Sequence, residues 1–218
     1  MQTTDTPTNT RPAQTAPELA LTMTRILKNP LAALRASMEG LQRDLPADDP
    51  RSAQVRSALD EVVRLSRGVQ DIVDYAAPRE LEPMSCTSEE LLYSTVRMLP
   101  ETVRSKVSLA RSGGVQELFV DGPQLCQSLR HLVEHAAATT SNEVLFGARA
   151  DGDAVLFTLV SETCGAAVQV STQLDLGLQL AFRDIPRMGG SLTLQHSAQG
   201  ATCIQVRFAR QPRGGRRS

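Results

Sequence analysis

Two of the three histidines in this 218-residue sequence share one short motif with the spacing of a metal site. His131 and His135 flank Glu134 in the run His-Leu-Val-Glu-His, and helical spacing would place both imidazoles on one face. One class of zinc peptidase uses this pattern, but a catalytic zinc needs a third protein ligand, and none can be assigned here. We therefore predict no metal and interpret the histidines as an exposed or hydrogen-bonded pair. A structural site held by these two imidazoles is the alternative.

A second group of side chains brings positive charge to a predicted helix near the N-terminus. Arg25, Lys28 and Arg35 lie close together on it, with Asn29 and Pro30 between them. Charges on the outer face of a helical bundle are needed for solubility, which is the simpler interpretation. A guanidinium can also make charge-assisted hydrogen bonds to a carboxylate of another protein. The five residues are therefore a candidate binding surface.

The composition argues against several classes of function. The 23 Lys and Arg nearly balance the 24 Asp and Glu, only 3% of residues are aromatic, and Trp is absent, so no nucleic-acid partner is expected. The four cysteines lie at least 38 residues apart, which indicates buried thiols and not a zinc knuckle or a disulfide framework. The N-terminus is rich in Thr and Pro, and no run of 18 uncharged apolar residues occurs. We therefore expect a cytoplasmic protein with no membrane partner.

Both ends of the chain have the composition of tails. Residues 1–17 contain six Thr and three Pro with almost no large apolar side chain, which predicts a disordered segment. Residues 210–218 contain four Arg and no acidic residue, which predicts a solvated basic tail. A DNA-associated role for this tail is the weaker alternative.

Residues 18–77 predict a hairpin of two antiparallel helices. In the first helix, large apolar residues recur at spacings of four and three, at Leu27, Leu31, Leu34, Met38 and Leu41. The second helix runs to about Tyr75 and repeats such a seam at Val55, Leu59, Val62, Val69 and Ile72. A single hairpin has no third element to cover these seams. We therefore predict a homodimer, in which two hairpins form a four-helix bundle.

Residues 78–209 change to a mixed pattern of helices and short strands. Helices are predicted over residues 88–99, 124–139 and 174–188, with Ser88 as a helix cap. Strands are predicted over residues 107–110, 117–120, 143–150, 154–160, 191–196 and 202–208. Because most of these strands should be antiparallel, we expect an α/β sandwich with its helices on one face. The chain as a whole is predicted to be α+β.

Five short motifs, in this order, resemble the transmitter part of bacterial sensor histidine kinases, in which dimerisation helices precede an ATP-binding domain. The run Lys28-Asn29-Pro30-Leu31-Ala32-Ala33-Leu34 is similar to the end of the phosphoacceptor box. The later motifs are similar to parts of the ATP-binding domain, at Asp121–Leu125 with Leu132–Ala136, Val160–Thr163, Leu176–Ala181 and Met188–Leu192. The resemblance covers about residues 18–209 and implies the fold predicted above.

The resemblance also implies where the kinase chemistry should reside, and this sequence departs from it. Arg25 stands where the family has its phosphoacceptor His. A guanidinium stays protonated and offers no lone pair to a phosphoryl group. His131 and His135 stand where the family has the Asn side chains of its metal-nucleotide site. Because imidazole is a poor ligand for Mg²⁺, we expect metal-nucleotide binding to be weak or absent.

The adenine-binding region departs from the family in a similar way. Glu162 stands where the family has an Asp, and Cys164 occupies a position where a glycine is expected, so its Cβ would obstruct a nucleotide. Only fifteen positions separate Glu162 from Gly177 of the last Gly-rich box, too few for the mobile lid of active relatives. We therefore predict a degenerate nucleotide site and no cofactor, with the altered site formed by His131, His135, Glu162, Cys164 and Gly177.

These features together predict a non-catalytic, histidine-kinase-like regulator in a two-component pathway. Its expected partner is the receiver domain of a response regulator, or a histidine kinase, which it would sequester, inhibit or scaffold. The surface of Arg25, Lys28, Asn29, Pro30 and Arg35 would then contact the acidic pocket of the receiver. The alternative is an enzyme that still binds nucleotide, either as a kinase or as a phosphotransfer protein with an unconventional acceptor.

Overall fold

The computed structural model describes residues 16–46, 48–110, 113–138, 140, 143–161, 175–196 and 201–210. The chain divides into two compact units, Met1–Pro78 and Arg79–Ser218, one residue beyond the boundary expected from the sequence. The division follows Pro78, two residues after the last long helix ends at Ala76, and a proline disfavours the helical conformation of the residue before it, here Ala77.

The first unit is a hairpin of two long helices, α1 (Ala16–Asp44) and α2 (Arg51–Ala76). α1 already begins at Ala16, so the predicted disordered tail is wrong for its last two residues; residues 1–15 lie outside the described part. The two helices pack along each other and bury Val55, Val62 and Val73 of α2. The helical hairpin predicted from the two apolar seams is present.

Further apolar side chains of the hairpin remain exposed at spacings of seven residues. Leu27, Leu34 and Leu41 of α1 and Leu65 and Ile72 of α2 are each between 42% and 52% exposed. Apolar residues repeated every seven positions form a strip along a helix that is suited to a partner helix. The hairpin thus covers only part of its own apolar surface, and pairing with a second copy remains a prediction.

The second unit alternates short helices and strands. In chain order these are β1 (Met84–Thr87), α3 (Ser88–Met98), α4 (Glu101–Arg104), β2 (Val107–Leu109), β3 (Glu117–Val120), α5 (Gly122–Ala138), β4 (Val144–Asp151), β5 (Ala154–Ser161), α6 (Leu176–Arg187), β6 (Ser191–His196) and β7 (Thr202–Ala209). Five strands form one sheet in the order β2-β4-β5-β7-β6, and β1 pairs with β3 in a separate two-stranded sheet. Only the β2–β4 pair of the described strands is parallel.

The core of this unit lies between the five-stranded sheet and the helices α3, α5 and α6; α5 contacts both other helices, and each of the three contacts the sheet. The central strands are most buried at alternate positions, as expected for a sheet with one covered face, although the first four residues of β5 are all buried. These are Val144, Phe146 and Ala148 of β4, Val155, Phe157 and Leu159 of β5, and Ile204, Val206 and Phe208 of β7. The α+β class and the α/β sandwich predicted from the sequence are confirmed.

The start of the second unit differs from the sequence prediction. β1 and α4 were not expected, and Thr87, not Ser88, caps α3. The Thr87 hydroxyl accepts the Glu90 backbone N–H at 3.2 Å, while the Glu90 carboxylate accepts the Thr87 N–H at 2.9 Å, which is a capping box. Ser88 is buried, and its hydroxyl instead accepts the backbone N–H of Gln116. The predicted cap is therefore wrong by one residue.

At the other end, the predicted basic tail begins within the described fold. The backbone N–H of Arg210 donates to the carbonyl oxygen of Asp153 at 2.7 Å, which continues the pairing of β7 with β5 by one residue. Residues 211–218 lie outside the described part of the chain.

α5 is held at both ends by side chains outside its own turns. At its start, the Asp121 carboxylate accepts the Gln124 backbone N–H at 2.9 Å. At its end, the Lys106 ammonium lies 3.4 Å from the carbonyl oxygens of Ala137 and Thr140. Negative charge at the first turn and positive charge at the last complement the helix dipole. α5 is therefore a firmly placed support for the side chains of the candidate site.

Candidate functional site

The packing of α5 against α6 brings together three of the predicted site residues. His131 and His135 project from α5, and Gly177 lies in the first turn of α6. The other two members of the predicted degenerate site, Glu162 and Cys164, lie outside the described residues. The candidate site is therefore the contact between α5 and the beginning of α6.

His131 is buried and neutral. The residue is only 4% exposed, and Nη2 of Arg130 lies 3.1 Å from its Nε2. Because a guanidinium only donates hydrogen bonds, Nε2 is the acceptor and the neutral ring carries its proton on Nδ1. The pKa of His131 is lowered to about 3, mainly by burial and also by the Arg130 guanidinium, while Asp175 and Asp184 oppose this shift. The imidazole is therefore uncharged at neutral pH.

Gly177 lies directly against this imidazole. A Cβ atom on residue 177 would lie 3.0 Å from Cγ and 3.2 Å from Cβ of His131, and closer still to Nδ1. Real Cβ atoms rarely approach backbone or ring atoms so closely, so only glycine fits without a shift of the helix or the ring. The His131 ring thus fills the space beside the first turn of α6.

Arg130 links His131 to an acidic side chain of α5, that of Glu134. Its Nη1 lies 2.9 Å from Oε2 of Glu134, while its Nη2 is used by His131. Arg130 is itself only 5% exposed, so the guanidinium is buried between a carboxylate and an imidazole. A buried charge needs such partners, because an unpaired one is strongly destabilising.

His135 contacts a carboxylate at the start of α6. Nδ1 of His135 lies 2.7 Å from Oδ2 of Asp175, and Oδ1 of Asp175 accepts the backbone N–H of Leu178 at 3.2 Å. Asp175 is thus the N-cap of α6. The hydrogen bond from His135 lowers the pKa of Asp175, and burial opposes this. A helix N-terminus attracts anions, and here a carboxylate of the chain itself occupies that position.

The two histidines of the His-Leu-Val-Glu-His motif therefore have different partners. His131 bonds Arg130 and packs on Gly177, whereas His135 bonds Asp175. In the ranges that the structure describes, no cluster of three or more His, Cys, Asp or Glu side chains is arranged to hold a metal ion.

Two residues of this site were not singled out from the sequence. Asp175 is the second residue of the helix predicted over residues 174–188 and is a preferred N-cap residue type, so the capping preference could have identified it as the start of this helix. Arg130 lies four residues before Glu134, the spacing of a helical ion pair, which is also visible in the sequence. The contact of His131 with Gly177 has no local signal, because it joins residues 46 positions apart.

The predicted partner-binding residues lie in the first unit, on α1. Arg25, Lys28, Asn29, Pro30 and Arg35 are all exposed. Nε of Arg35 lies 2.7 Å from Oε1 of Glu39, one turn further along the helix, so this guanidinium already has a carboxylate partner. Next to Arg25, Ile26 is 63% exposed, a large apolar side chain within a basic surface.

Comparison with known proteins gives a consistent picture of the fold. No protein-family model matches the chain. The chain is 24% identical over 208 residues to the sensor protein KdpD of Escherichia coli (strain K12), an alignment that covers 85% of the chain. It spans only 23% of the length of KdpD.

Solved histidine kinase structures superpose on most of the chain. Full-length ShkA in complex with AMPPNP gives a TM-score of 0.67 at 21% identity, over 90% of this chain and 47% of ShkA. Histidine kinase AdeS of Acinetobacter baumannii gives a TM-score of 0.58 at 12% identity, over 85% of this chain and 98% of AdeS. Histidine kinase ThkA in complex with the response regulator protein TrrA gives 0.57 at 16% identity, over 89% and 62%.

The chain therefore has the fold of a histidine kinase transmitter, as the sequence motifs predicted. It corresponds to a part of KdpD and ShkA and not to their full length. No helix within the described residues is long and apolar enough to span a membrane.

Proposed function

We propose that this protein is a non-catalytic, histidine-kinase-like regulator that acts by binding a response regulator or a histidine kinase in a two-component pathway. Its fold supports a place in such a pathway, since ThkA, with a similar structure, was solved together with a response regulator. The proposal that it acts by binding alone rests on the α5–α6 site.

The observation that carries the proposal is the filling of the space at the start of α6 by the protein's own side chains. The His131 ring packs on Gly177, and the Asp175 carboxylate caps the helix. Glycine and a free helix N-terminus are features that let a phosphate group approach a backbone closely. Here the His131 imidazole occupies the space beside the glycine, and the Asp175 carboxylate occupies the helix N-terminus. The negative charge of this carboxylate would repel a polyphosphate.

The two imidazoles also lack what a nucleotide-bound Mg²⁺ requires. Mg²⁺ prefers hard oxygen ligands, whereas Nε2 of His131 is already engaged by Arg130 and Nδ1 of His135 by Asp175. Together with Arg25 in place of a phosphoacceptor imidazole, this supports a protein without kinase activity.

The proposed binding surface is the exposed part of α1 around Arg25. Lys28, Asn29 and Pro30 extend it along the helix, and Ile26 adds an apolar contact. An acidic pocket on a receiver domain would match the charge of this surface. Arg35, already paired with Glu39, would contribute at the edge.

The test of catalysis uses ATP directly. We expect no heat in calorimetry with ATP and Mg²⁺, and no acid-labile label from radioactive ATP, in the wild type and in Arg25→His. Restoring one imidazole should not restore activity, since the remaining parts of a phosphoryl-transfer site act together. Labelling of Arg25→His would show a working ATP site and favour the kinase alternative.

The test of binding compares two charge reversals on exposed arginines of the hairpin. Arg25→Glu should weaken binding to the cognate receiver domain by about 1 to 3 kcal/mol, mainly through faster dissociation. Arg56→Glu, on α2, makes the same charge change outside the proposed surface and should leave the affinity unchanged. Equal effects of both changes, measured by surface plasmon resonance, would exclude the surface around Arg25.

A further inference from the structure

The chain segment Arg79–Glu82, which opens the second unit, is held by the start of α5. Nη2 of Arg79 donates to Oδ1 of Asp121 at 2.7 Å, and Nε of Arg79 donates to Oε1 of Gln124 at 2.9 Å. The backbone N–H of Glu82 donates to the other carboxylate oxygen of Asp121 at 2.9 Å. Four residues that precede the first strand therefore make three hydrogen bonds to side chains at one helix terminus.

A second set of contacts connects the same residues to the end of α6. Nε2 of Gln124 donates to Oδ2 of Asp184 at 2.9 Å. The Asp184 carboxylate also accepts from Arg183 at 2.7 and 3.0 Å and from Arg187 at 3.1 Å. Nη2 of Arg187 then donates to the backbone carbonyl of Arg79 at 3.0 Å, which closes a ring of contacts.

The acidic members of this ring are buried, so the loss of any of their contacts would leave a polar group unpaired away from water. Asp121 and Asp184 are each 1% exposed, and Gln124 is 6% exposed. The Gln124 amide accepts from Arg79 with its oxygen and donates to Asp184 with its nitrogen, so its orientation is fixed from both sides. Removing one member of a buried network leaves its partner unpaired, which is strongly destabilising.

We propose that this ring of contacts acts as a strap, by which we mean that it fixes the segment Arg79–Glu82 to the second unit. Ala77 and Pro78 are then the residues that join the two units. The strap ties this segment to α5 and α6, the two helices that carry the candidate site. A displacement of the segment would therefore act on the start of α5 and the end of α6. The proposal does not depend on the proposed function, because it concerns the anchoring of the linker alone.

Hydrogen exchange measured by mass spectrometry on the full chain tests the strap. We expect the peptide that covers Leu81 and Glu82 to exchange at least tenfold faster in Arg79→Ala than in the wild type. Arg187→Ala lies 108 positions away in sequence and should accelerate exchange in the same peptide several-fold. Arg149→Ala, which removes an exposed arginine of β4 outside the ring, is the matched control and should leave this peptide unchanged.

Three results would overturn the proposal. The first is a wild-type segment that already exchanges at the rate of an unstructured peptide. The second is unchanged exchange of the segment in both Arg79→Ala and Arg187→Ala. The third is an acceleration spread evenly over the whole second unit, since that would make Arg79 a general stabiliser and not part of a local strap.

Discussion

Gly177 and His131 form a tight pair across α5 and α6, and a single methyl group should disturb it. We expect Gly177→Ala to lower the free energy of unfolding by about 1 to 3 kcal/mol, because the added Cβ collides with the ring. In a His131→Ala background most of this loss should disappear, which urea denaturation of the single and double variants would measure.

The control for this pair is another glycine of the same unit. A Cβ on Gly122 would meet Leu91 at 3.8 Å, which is an ordinary contact, so Gly122→Ala should be tolerated. If Gly177→Ala were equally costly with and without the His131 ring, the collision would not be the cause.

His131 should also give the protein a characteristic loss of stability in mild acid. Its pKa is lowered from 6.5 to about 3, so below pH 6.5 the unfolded chain takes up a proton that the folded chain refuses. Stability should therefore fall as the pH decreases, by about 1.4 kcal/mol per unit, or about 2 kcal/mol between pH 7 and pH 5.

Urea denaturation at the two pH values measures this effect. His131→Gln, which keeps a hydrogen-bond acceptor for Arg130 but does not titrate, should lack the His131 contribution. Identical pH dependence of wild type and variant over this interval would contradict a buried neutral His131.

Only some of the individual residues of the candidate site were predictable from the sequence. His131, His135 and Gly177 were recognised because each falls within a motif. The contacts of His135 with Asp175 and of His131 with Gly177 were not predicted, since they depend on which way α5 and α6 face each other. Side-chain partners across two helices are set by packing, which no local spacing determines.

α6 depends on Asp175 for its first turn, and two substitutions separate the cap from the charge. Asp175→Ala should cost about 1 to 2 kcal/mol of unfolding free energy, because the Leu178 N–H and His135 both lose their acceptor. Asp175→Asn keeps a capping oxygen and should cost less. Thermal denaturation shows which of the two variants is less stable. A larger loss of stability in Asp175→Asn than in Asp175→Ala would contradict the capping role.

Among the elements, those with strong periodicity were predictable and those without it were not. The long helices and the hairpin of β4 and β5 follow apolar patterns that continue for many residues. β1, with the sequence Met-Ser-Cys-Thr, is only four residues long and shows no alternation of large apolar side chains. It is a strand because β3 lies beside it, with Met84 opposite Val120 and Thr87 opposite Glu117. Its existence depends on tertiary pairing, which a local pattern does not record.

The exposed apolar strip of the hairpin leads to a prediction for the assembled molecule. Leu65→Glu should convert a dimer to a monomer, because a charge buried at a helix interface without a partner costs several kcal/mol. Arg56→Glu, nine residues earlier and thus on the opposite face of α2, should leave the dimer intact. Light scattering coupled to size-exclusion chromatography measures whether each variant is a monomer or a dimer. A wild-type protein that is monomeric at micromolar concentration would contradict the predicted dimer.

The strand order of the second unit also constrains the sequence of events during folding. β4 and β5 pair with neighbours close in the chain, from Asp151 opposite Ala154 outwards, so this hairpin can form early. β2 instead pairs parallel to β4, with Val107 opposite Val144, and the chain between them must first pass through β3 and α5. Because the loop must be closed before this non-local pair gains its contacts, the β2 edge of the sheet should form late, after α5 has docked. Until then one side of β4 is an open strand edge, and a newly made chain is most vulnerable to misassociation during that interval.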